Sequence, residues 1–434
     1  MKRSDIMEMV IPWYSAIIGL ALAIILILMK LNPTYALIFG AVVGCLVGGA
    51  DLVQTLNVLI SGTQSVMGTV IRILSAGVFA GVMMESGAAE TIANFIVRKM
   101  PGTFSLFALA LATMVITGVG VFIPVAVLIV APIALSVAAE NGYSKIAILI
   151  ALSGGGKAGN IISPNPNTIA AAEGFGISTI QAMLGGLIPA LAGLLVTVLV
   201  ANAIKSRYSI VTTSEKETKV DESNQATLPS VGKAFVAPIL AVVLLLLGPI
   251  GKAVGVTGLD FDSFYVLPIA GLIGLLIMGK SNKILDFTKS GLDRMTPTIL
   301  IIIGAGAIGG LITASDLSTQ IVAIMDTWNV PSILLAPISG ILMAGATAST
   351  STGVILATGS FGPAILQTDI APFNAAIMVH TGAVVIDHLP HGTYFHVSAD
   401  AVDMSFADRM KCIGYESIIG LSIATVATII YGIL

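Results

Sequence analysis

All four histidines of the chain fall in one stretch of seventeen residues, HTGAVVIDHLPHGTYFH at 380–396. It carries His380, His388, His391 and His396, with Asp387 directly before His388. Histidine is the side chain whose charge changes near neutral pH. A carboxylate beside it inside an apolar span marks an ion or substrate path. A second polar stretch, SGGGKAGNIISPNPNT at 153–168, holds Lys157 among Asn160, Ser163, Asn165, Asn167 and Thr168. An ammonium there can balance an anionic substrate, stand in for a coupling cation, or pair with a carboxylate or with carbonyls. A third stretch sets Thr347, Ser349, Thr350, Ser351 and Thr352 within six residues. Hydroxyls and amides both donate and accept, which suits a hydroxylated carboxylate.

These residues sit in a chain built for lipid. Of 434 residues, 56% are hydrophobic and 10% charged, against about 25% charged in soluble domains. Mean hydropathy is +1.01, so the chain reads as an all-α polytopic membrane protein. A net charge of −3 is too small to imply a nucleic-acid partner. Cys45 and Cys412 lie in or beside apolar spans with no disulfide or metal spacing, so no metal or other cofactor is expected. The charged start, 1–8, runs into an apolar span with no polar mature chain behind it, and reads as no cleaved leader.

The spans fall in two halves about a hydrophilic linker, 205–233. The first half, 1–204, gives spans near 11–29, 34–50, 69–86, 145–172 and 181–204. The second, 234–434, gives 234–250, 264–279, 298–313, 372–399 and 412–434. The segments 145–172 and 372–399 carry Pro, Gly and polar residues, so both read as broken transmembrane helices. Gly154, Gly155 and Gly156 are expected to open an irregular backbone in the first. Two longer apolar segments, 104–139 and 331–366, turn at small or polar tips and read as re-entrant hairpins. The tips are Thr117, Gly118, Val119 and Gly120 in one and Gly345–Gly353 in the other.

The halves look like a repeat. Sliding 61–93 onto 290–322, an offset of 229, matches eight positions, and the order of elements agrees. Five full spans per half make the repeats inverted. With the linker on the cytoplasmic side, fifteen of the twenty Lys and Arg are inside, as positive-inside charge placement requires. Both termini are then outside, the first hairpin enters from the cytoplasm and the second from the exterior.

The expected substrate contacts are Thr117, Gly118, Gly120, Ser153, Gly154, Asn160, Ser163, Asn165, Asn167, Thr168, Thr347, Ser349, Thr350, Ser351, Thr352, Thr381 and Gly382. The expected proton-coupling groups are Asp387, His388, Lys157, His380 and His391. His396 and Glu173 are expected nearer the interfaces, in structural roles. An intramembrane enzyme is disfavoured, because neither HExxH nor a nucleophile elbow occurs. Sodium coupling of the same architecture stays open, and sodium dependence at fixed pH separates it.

The segments GKAGNIISPNPNTIAAAE (156–173) and VIDHLPHGTYFH (385–396) resemble the signature segments of the gluconate permease (GntP) family of proton symporters, within the ion transporter superfamily. The resemblance implies a homodimer in the bacterial inner membrane, with a scaffold and a mobile transport domain working as an elevator. It implies uptake of gluconate or a related small hydroxy or sugar acid with a proton; other cargoes in the family include D-serine. Sodium-using relatives carry Ser-Asn-Thr at the hairpin tips. The tips here differ, which is compatible with proton coupling.

Overall fold

The computed structural model describes residues 11–100, 102–208, 210–211, 228–329 and 331–434, with residue 326 described in backbone only. The charged start and most of the linker, 212–227, lie outside the described residues. Among the described residues the chain is helical, with no strand beyond two isolated bridges. Seven helical segments are long and apolar enough to cross a membrane.

The first half runs α1 (Trp13–Leu28), α2 (Pro33–Val47), α3 (Leu52–Ser65), α4 (Met67–Glu85), α5 (Ala88–Lys99), α6 (Ser105–Gly118), α7 (Ile123–Asn141), α8 (Lys145–Ile161), α9 (Pro166–Gly174), α10 (Thr179–Gly185) and α11 (Leu187–Ile204). The second runs α12 (Val231–Ala234), α13 (Val236–Ala253), α14 (Ser263–Ile277), α15 (Ile284–Thr313), α16 (Leu317–Thr327), α17 (Leu335–Thr347), α18 (Thr350–Ile365), α19 (Pro372–Ala383), α20 (Thr393–Ala401) and α21 (Phe406–Thr428), ending in a π-helical turn. The helix pairs α6–α7 and α17–α18 take the place of the two expected hairpins. The pairs α8–α9 and α19–α20 are interrupted where the two broken helices are expected.

Three local expectations are corrected. The glycines at 154–156 do not break α8, which stays helical to Ile161; the break is Ile162–Asn165, set by Pro164 and Pro166. The glycines instead let helices touch. A Cβ on Gly155 would sit 2.0 Å from the Ala110 carbonyl oxygen, and one on Gly159 2.0 Å from that of Met114, both on α6. The second hairpin tip is only Ala348 and Ser349, because α17 and α18 extend through most of the polar run. The last span begins at Phe406 rather than residue 412, which draws Arg409 into it.

Capping chemistry fixes the ends that matter. Asn165 caps α9, its Oδ1 accepting from the Asn167 amide at 2.9 Å and the Thr168 amide at 3.1 Å, with Pro166 at the first helical position. Ser349 caps α18 by accepting from the Thr352 amide at 3.3 Å. Gly120 takes φ +102° in the first tip, open to glycine alone at little cost. Ala348 holds a left-handed φ of +45° in the second.

The helices pack in two groups. One joins α1–α4 to α13–α15; the other joins α6–α11 to α17–α21. Each half of the chain supplies part of both. Within the first group α15 runs antiparallel to α3 and α4 along a line of glycines. A Cβ on Gly62 would lie 2.1 Å from the Gly306 oxygen, and one on Gly291 2.0 Å from the Gly77 oxygen. Residue 291 is 62 plus the sequence offset of 229, and 306 is 77 plus the same offset.

Polar contacts segregate to two ends of the bundle. At one end Arg72 meets Glu173 (2.9 Å) and Asp262 (2.7 Å), Ile11 donates its amide to the Ala314 oxygen (2.9 Å) and Tyr431 donates to the Gly185 oxygen (2.7 Å). At the other, Arg294 pairs with Glu85 (3.2 Å), Lys280 donates to the Ser86 oxygen (2.8 Å) and Lys145 to the Asp403 oxygen (2.8 Å).

Candidate functional site

Lys157 lies on α8 one turn before the break and is 1% exposed. Its Nζ donates to three acceptors contributed by the second half: the Val384 oxygen at 2.6 Å, His388 Nδ1 at 3.1 Å, and Asp387 Oδ1 in a short ion pair. An ammonium has three protons, so its donor capacity is filled. Asp387 is buried in the α19–α20 break, and its other oxygen accepts from Thr350 Oγ1 in the first turn of α18. One carboxylate thus ties together both broken helices and the second hairpin. A buried charge is tolerated when paired and hydrogen-bonded, and costs several kcal/mol when it is not.

His388 is fully buried between this pair and a second. Its Nε2 donates to the Ile413 oxygen at 3.0 Å, with Ser417 Oγ at 3.3 Å, and lies 4.0 Å from Glu416 Oε2. Glu416 is held by Arg409 through Nη1 at 2.5 Å and Nη2 at 3.2 Å, and accepts from Ser153 Oγ. Arg409 also reaches Ser398 Oγ at 2.9 Å and stacks 4.8 Å from the Phe395 ring. Arg409 and Glu416 are both 0% exposed, and sequence reading missed them. Hydropathy opens the span at 412 and leaves Arg409 in a loop; the usable signal is their seven-residue spacing, two helical turns on one face.

Beside the α8–α9 break lies a buried amide cluster. Asn160 Oδ1 accepts from Asn167 Nδ2 at 3.0 Å and from Asn165 Nδ2, which also donates to the Asn160 carbonyl at 2.9 Å. Three buried atoms there have no protein partner: Asn160 Nδ2, Ser163 Oγ and Asn167 Oδ1. His380 Nε2, on α19, is likewise buried without one. Leaving such groups unsatisfied costs about 1–3 kcal/mol each, so each needs a partner that the protein itself does not supply.

Other predicted residues fall elsewhere. Ser153 serves Glu416, and Gly154 faces α11, where a Cβ would strike Thr197 Oγ1 at 2.1 Å. Gly382 is pressed against the Pro337 oxygen on α17. The Thr117 and Thr381 hydroxyls donate within their own helices, at 2.9 Å and 2.8 Å, and Thr347 bonds back to Met343 at 2.8 Å. Gly118 approaches Ile162 at the first break, and Gly120 packs near Phe79 of α4. Thr168 is buried in the first turn of α9, Thr352 is buried and Ser351 half-buried in that of α18. His391 is exposed, outside the buried cluster, and His396 is exposed with Nε2 2.9 Å from the Pro390 oxygen. A cavity of about 300 Å³ lies between the two helix groups, lined by Ser65, Thr69, Glu173, Thr313 and Thr358 among others. Neither Lys157 nor Asp387 lines it. Among the described residues no group of three or more His, Cys, Asp or Glu is placed to hold a metal ion.

The sequence model of the GntP family of permeases matches residues 9–434. The chain belongs to that family. Over 418 residues it is 45% identical to an uncharacterized transporter of Haemophilus influenzae, covering 96% of this chain and 97% of the other. It is 27% identical to a gluconate permease of Pseudomonas aeruginosa, covering 90% and 91%, and 25% identical to the D-serine transporter DsdX of Escherichia coli, covering 82% and 83%. Two solved structures share the fold at 14% identity and a TM-score of 0.63: the YdaH transporter of Alcanivorax borkumensis, covering 88% of this chain and 89% of that one, and MtrF of Neisseria gonorrhoeae, covering 88% and 85%. The protein is therefore a multi-pass membrane transporter and not an enzyme.

Proposed function

We propose that the protein takes up a small hydroxy or sugar acid such as gluconate together with a proton, across the bacterial inner membrane. The observation that carries this reading is the buried Lys157–Asp387–His388 triad, which joins two broken helices from opposite halves of the chain. In this reading Asp387 and His388 carry the proton, and Lys157 supplies fixed charge. Asn160, Ser163 and Asn167, with unpaired polar atoms, read the hydroxyls of the cargo. Lys157 has its donors filled, so the substrate carboxylate is met by hydroxyls and helix N-termini rather than by that ammonium.

The motion fits an elevator. The group α6–α11 with α17–α21 is the moving body, and α1–α4 with α13–α15 the frame that holds a homodimer together. Inverted repeats are supported by the glycine contacts: the Gly62–Gly306 approach recurs as Gly291–Gly77 when the halves are exchanged. Equivalent helices that pack antiparallel are related by a twofold axis across them, which lies in the membrane plane.

The test is transport in proteoliposomes. An imposed proton gradient, acid outside, should drive accumulation of at least one acid from a panel of aldonates and small hydroxy acids. No uptake of any member refutes the reading. A second cargo, D-serine, is favoured by similarity to DsdX comparable with that to the gluconate permease. Competition between D-serine and gluconate, run with and without sodium at fixed pH, separates the two cargoes and the two coupling ions.

A further inference from the structure

We propose that the last turns of α5 hold the headgroup of an anionic phospholipid, in a groove closed on its other side by the chain at 228–231. This goes beyond the transport reading and is independent of the cargo. α5 follows α4 of one helix group and packs on α6 and α7 of the other, so it is an arm between the two. Its buried face includes Ala88, Ala89, Ile92, Ala93, Ile96 and Val97. Its outward side carries the half-buried Asn94 and the exposed Phe95, Arg98 and Lys99.

The groove has a volume of about 580 Å³, with Asn94, Phe95, Arg98 and Lys99 on one wall and Leu228 and Val231 on the other. The Thr91 hydroxyl donates to the Pro229 oxygen at 3.1 Å and fixes the spacing of the walls. Phe95 meets Phe235 edge-on at 6.3 Å. Phe235 lies near the start of Val231–Ala253, a segment long and apolar enough to cross a membrane. The groove therefore sits where a crossing helix meets the headgroup layer. Arg98 and Lys99 have no carboxylate partner among the described residues. The one carboxylate of the helix, Glu90, is in its first turn, about 12 Å from Arg98 along the axis. Lys99 Nζ lies 5.8 Å from the Phe95 ring centre, which keeps its stem against the apolar wall. A phosphate ester on a glyceride matches this set. Its phosphate meets the guanidinium fork and the ammonium, and its glycerol and first acyl carbons meet Phe95, Leu228 and Val231.

The topology read from the sequence puts this end in the cytoplasm, against a leaflet whose surface is negative. Cations in the last turn of a helix also complement its dipole, and a second arm in the chain separates the two roles. Carried on through the offset of 229, α5 falls on α16, and Arg98 and Lys99 fall on Thr327 and Trp328. α16 ends with no basic residue in its last turn, and Trp328 is 75% exposed. An arm at this place in the fold thus terminates without cations. The pair is particular to the arm that the topology sets against the anionic leaflet.

The experiment uses the full chain in neutral detergent micelles, with phosphatidylglycerol bearing a fluorescent acyl chain as the probe. Unlabelled phosphatidylglycerol should displace the probe, and phosphatidylcholine or inorganic phosphate at the same concentration should not. Displacement by inorganic phosphate or by phosphatidylcholine overturns the proposal. Arg98→Gln combined with Lys99→Gln should weaken binding about thirtyfold, from about fivefold for each cation near an anionic surface. Lys289→Gln is the control, an exposed cation in a hollow shared with Asp286 and Asp293, and should bind as wild type does. A double variant within about twofold of wild type, or a control that loses as much as the double variant, refutes the site. Melting temperature in phosphatidylcholine should be the same for wild type and double variant, and only wild type should gain on addition of phosphatidylglycerol. An equal loss in both lipids makes the cations helix caps only and refutes the site. A chain that binds the probe only after Glu215→Gln, Glu217→Gln, Asp221→Asn and Glu222→Gln together assigns the groove to the linker and overturns the proposal.

Discussion

The line of glycines between α15 and α3–α4 makes a prediction in pairs. Gly62→Ala would put a Cβ 2.1 Å from the Gly306 oxygen and 2.6 Å from Gly310 Cα. Gly291→Ala would put one 2.0 Å from the Gly77 oxygen and 2.9 Å from Gly81 Cα. Both fall about 1 Å inside the 3.0 Å below which Cβ contacts essentially never occur, and the obstacle is backbone. The helices must therefore separate, and overpacking of this size costs about 1–3 kcal/mol. Replacing helical glycine by alanine returns roughly 0.5–1 kcal/mol. Each variant should thus lose about 1–2 kcal/mol net, and if the halves are related by a twofold axis the two losses should agree within about 0.5 kcal/mol. Gly359→Ala is the control, because its Cβ would meet only the Ala305 oxygen at an ordinary 3.5 Å. It should be neutral or slightly stabilising. Equilibrium unfolding of purified protein in mixed micelles measures all three. A Gly62→Ala variant as stable as wild type refutes the packing argument. Losses at 62 and 291 that differ by more than about 1 kcal/mol refute the equivalence of the halves.

Asp387→Asn removes the counter-charge of a buried ammonium and should lower stability by about 3–5 kcal/mol, abolish gradient-driven accumulation and spare exchange; unchanged accumulation removes Asp387 from coupling. Thr350→Val deletes a donor to that carboxylate and should cost about 1.5–3 kcal/mol by the same unfolding assay. Asp262, just outside α14, gives a pH dependence. Burial opposes its ionisation, but hydrogen bonds from Arg72 and the Phe264 amide outweigh that and hold its carboxyl below the ordinary range. Its stabilisation is therefore present above the unfolded carboxyl value of about 3.9 and lost as pH falls through the lower folded value. Melting temperature followed from pH 7 to 3 should drop less steeply at the acid end in Asp262→Asn than in wild type; parallel curves refute the assignment.

The elements that interrupt the membrane pattern were legible in the sequence because their chemistry is incompatible with lipid. Pro164 and Pro390 stand in the breaks of otherwise apolar spans, after α8 and α19 have ended, and Pro166 opens α9. What misled was glycine. In water a run such as Gly154–Gly156 reads as a breaker, but inside a bundle its missing side chains let α8 lie against α6 and α11 while staying helical. Lys157, Asp387 and His388 were each legible from residue type, as ionisable groups in the two breaks, but not as partners of one another. Arg409 and Glu416 were not, because hydropathy counts each charge as unfavourable and cannot register that the two pair, so the span opens at 412 and leaves Arg409 outside it. The packing of each half into both helix groups is a long-range property that no local pattern encodes.

Lys157 waits for a partner made 230 residues later. At synthesis rates of about 5–20 residues per second, that interval is roughly 10–50 s. For all of it, the nascent first half holds an ammonium whose ligands Val384, Asp387 and His388 do not yet exist. The ribosome's product is thus born with an unmet obligation in the bilayer, one that a truncated chain can never discharge. Quality-control proteases that survey membrane segments for stranded charge would find in Lys157 a built-in mark of incompletion, erased only when the second half arrives.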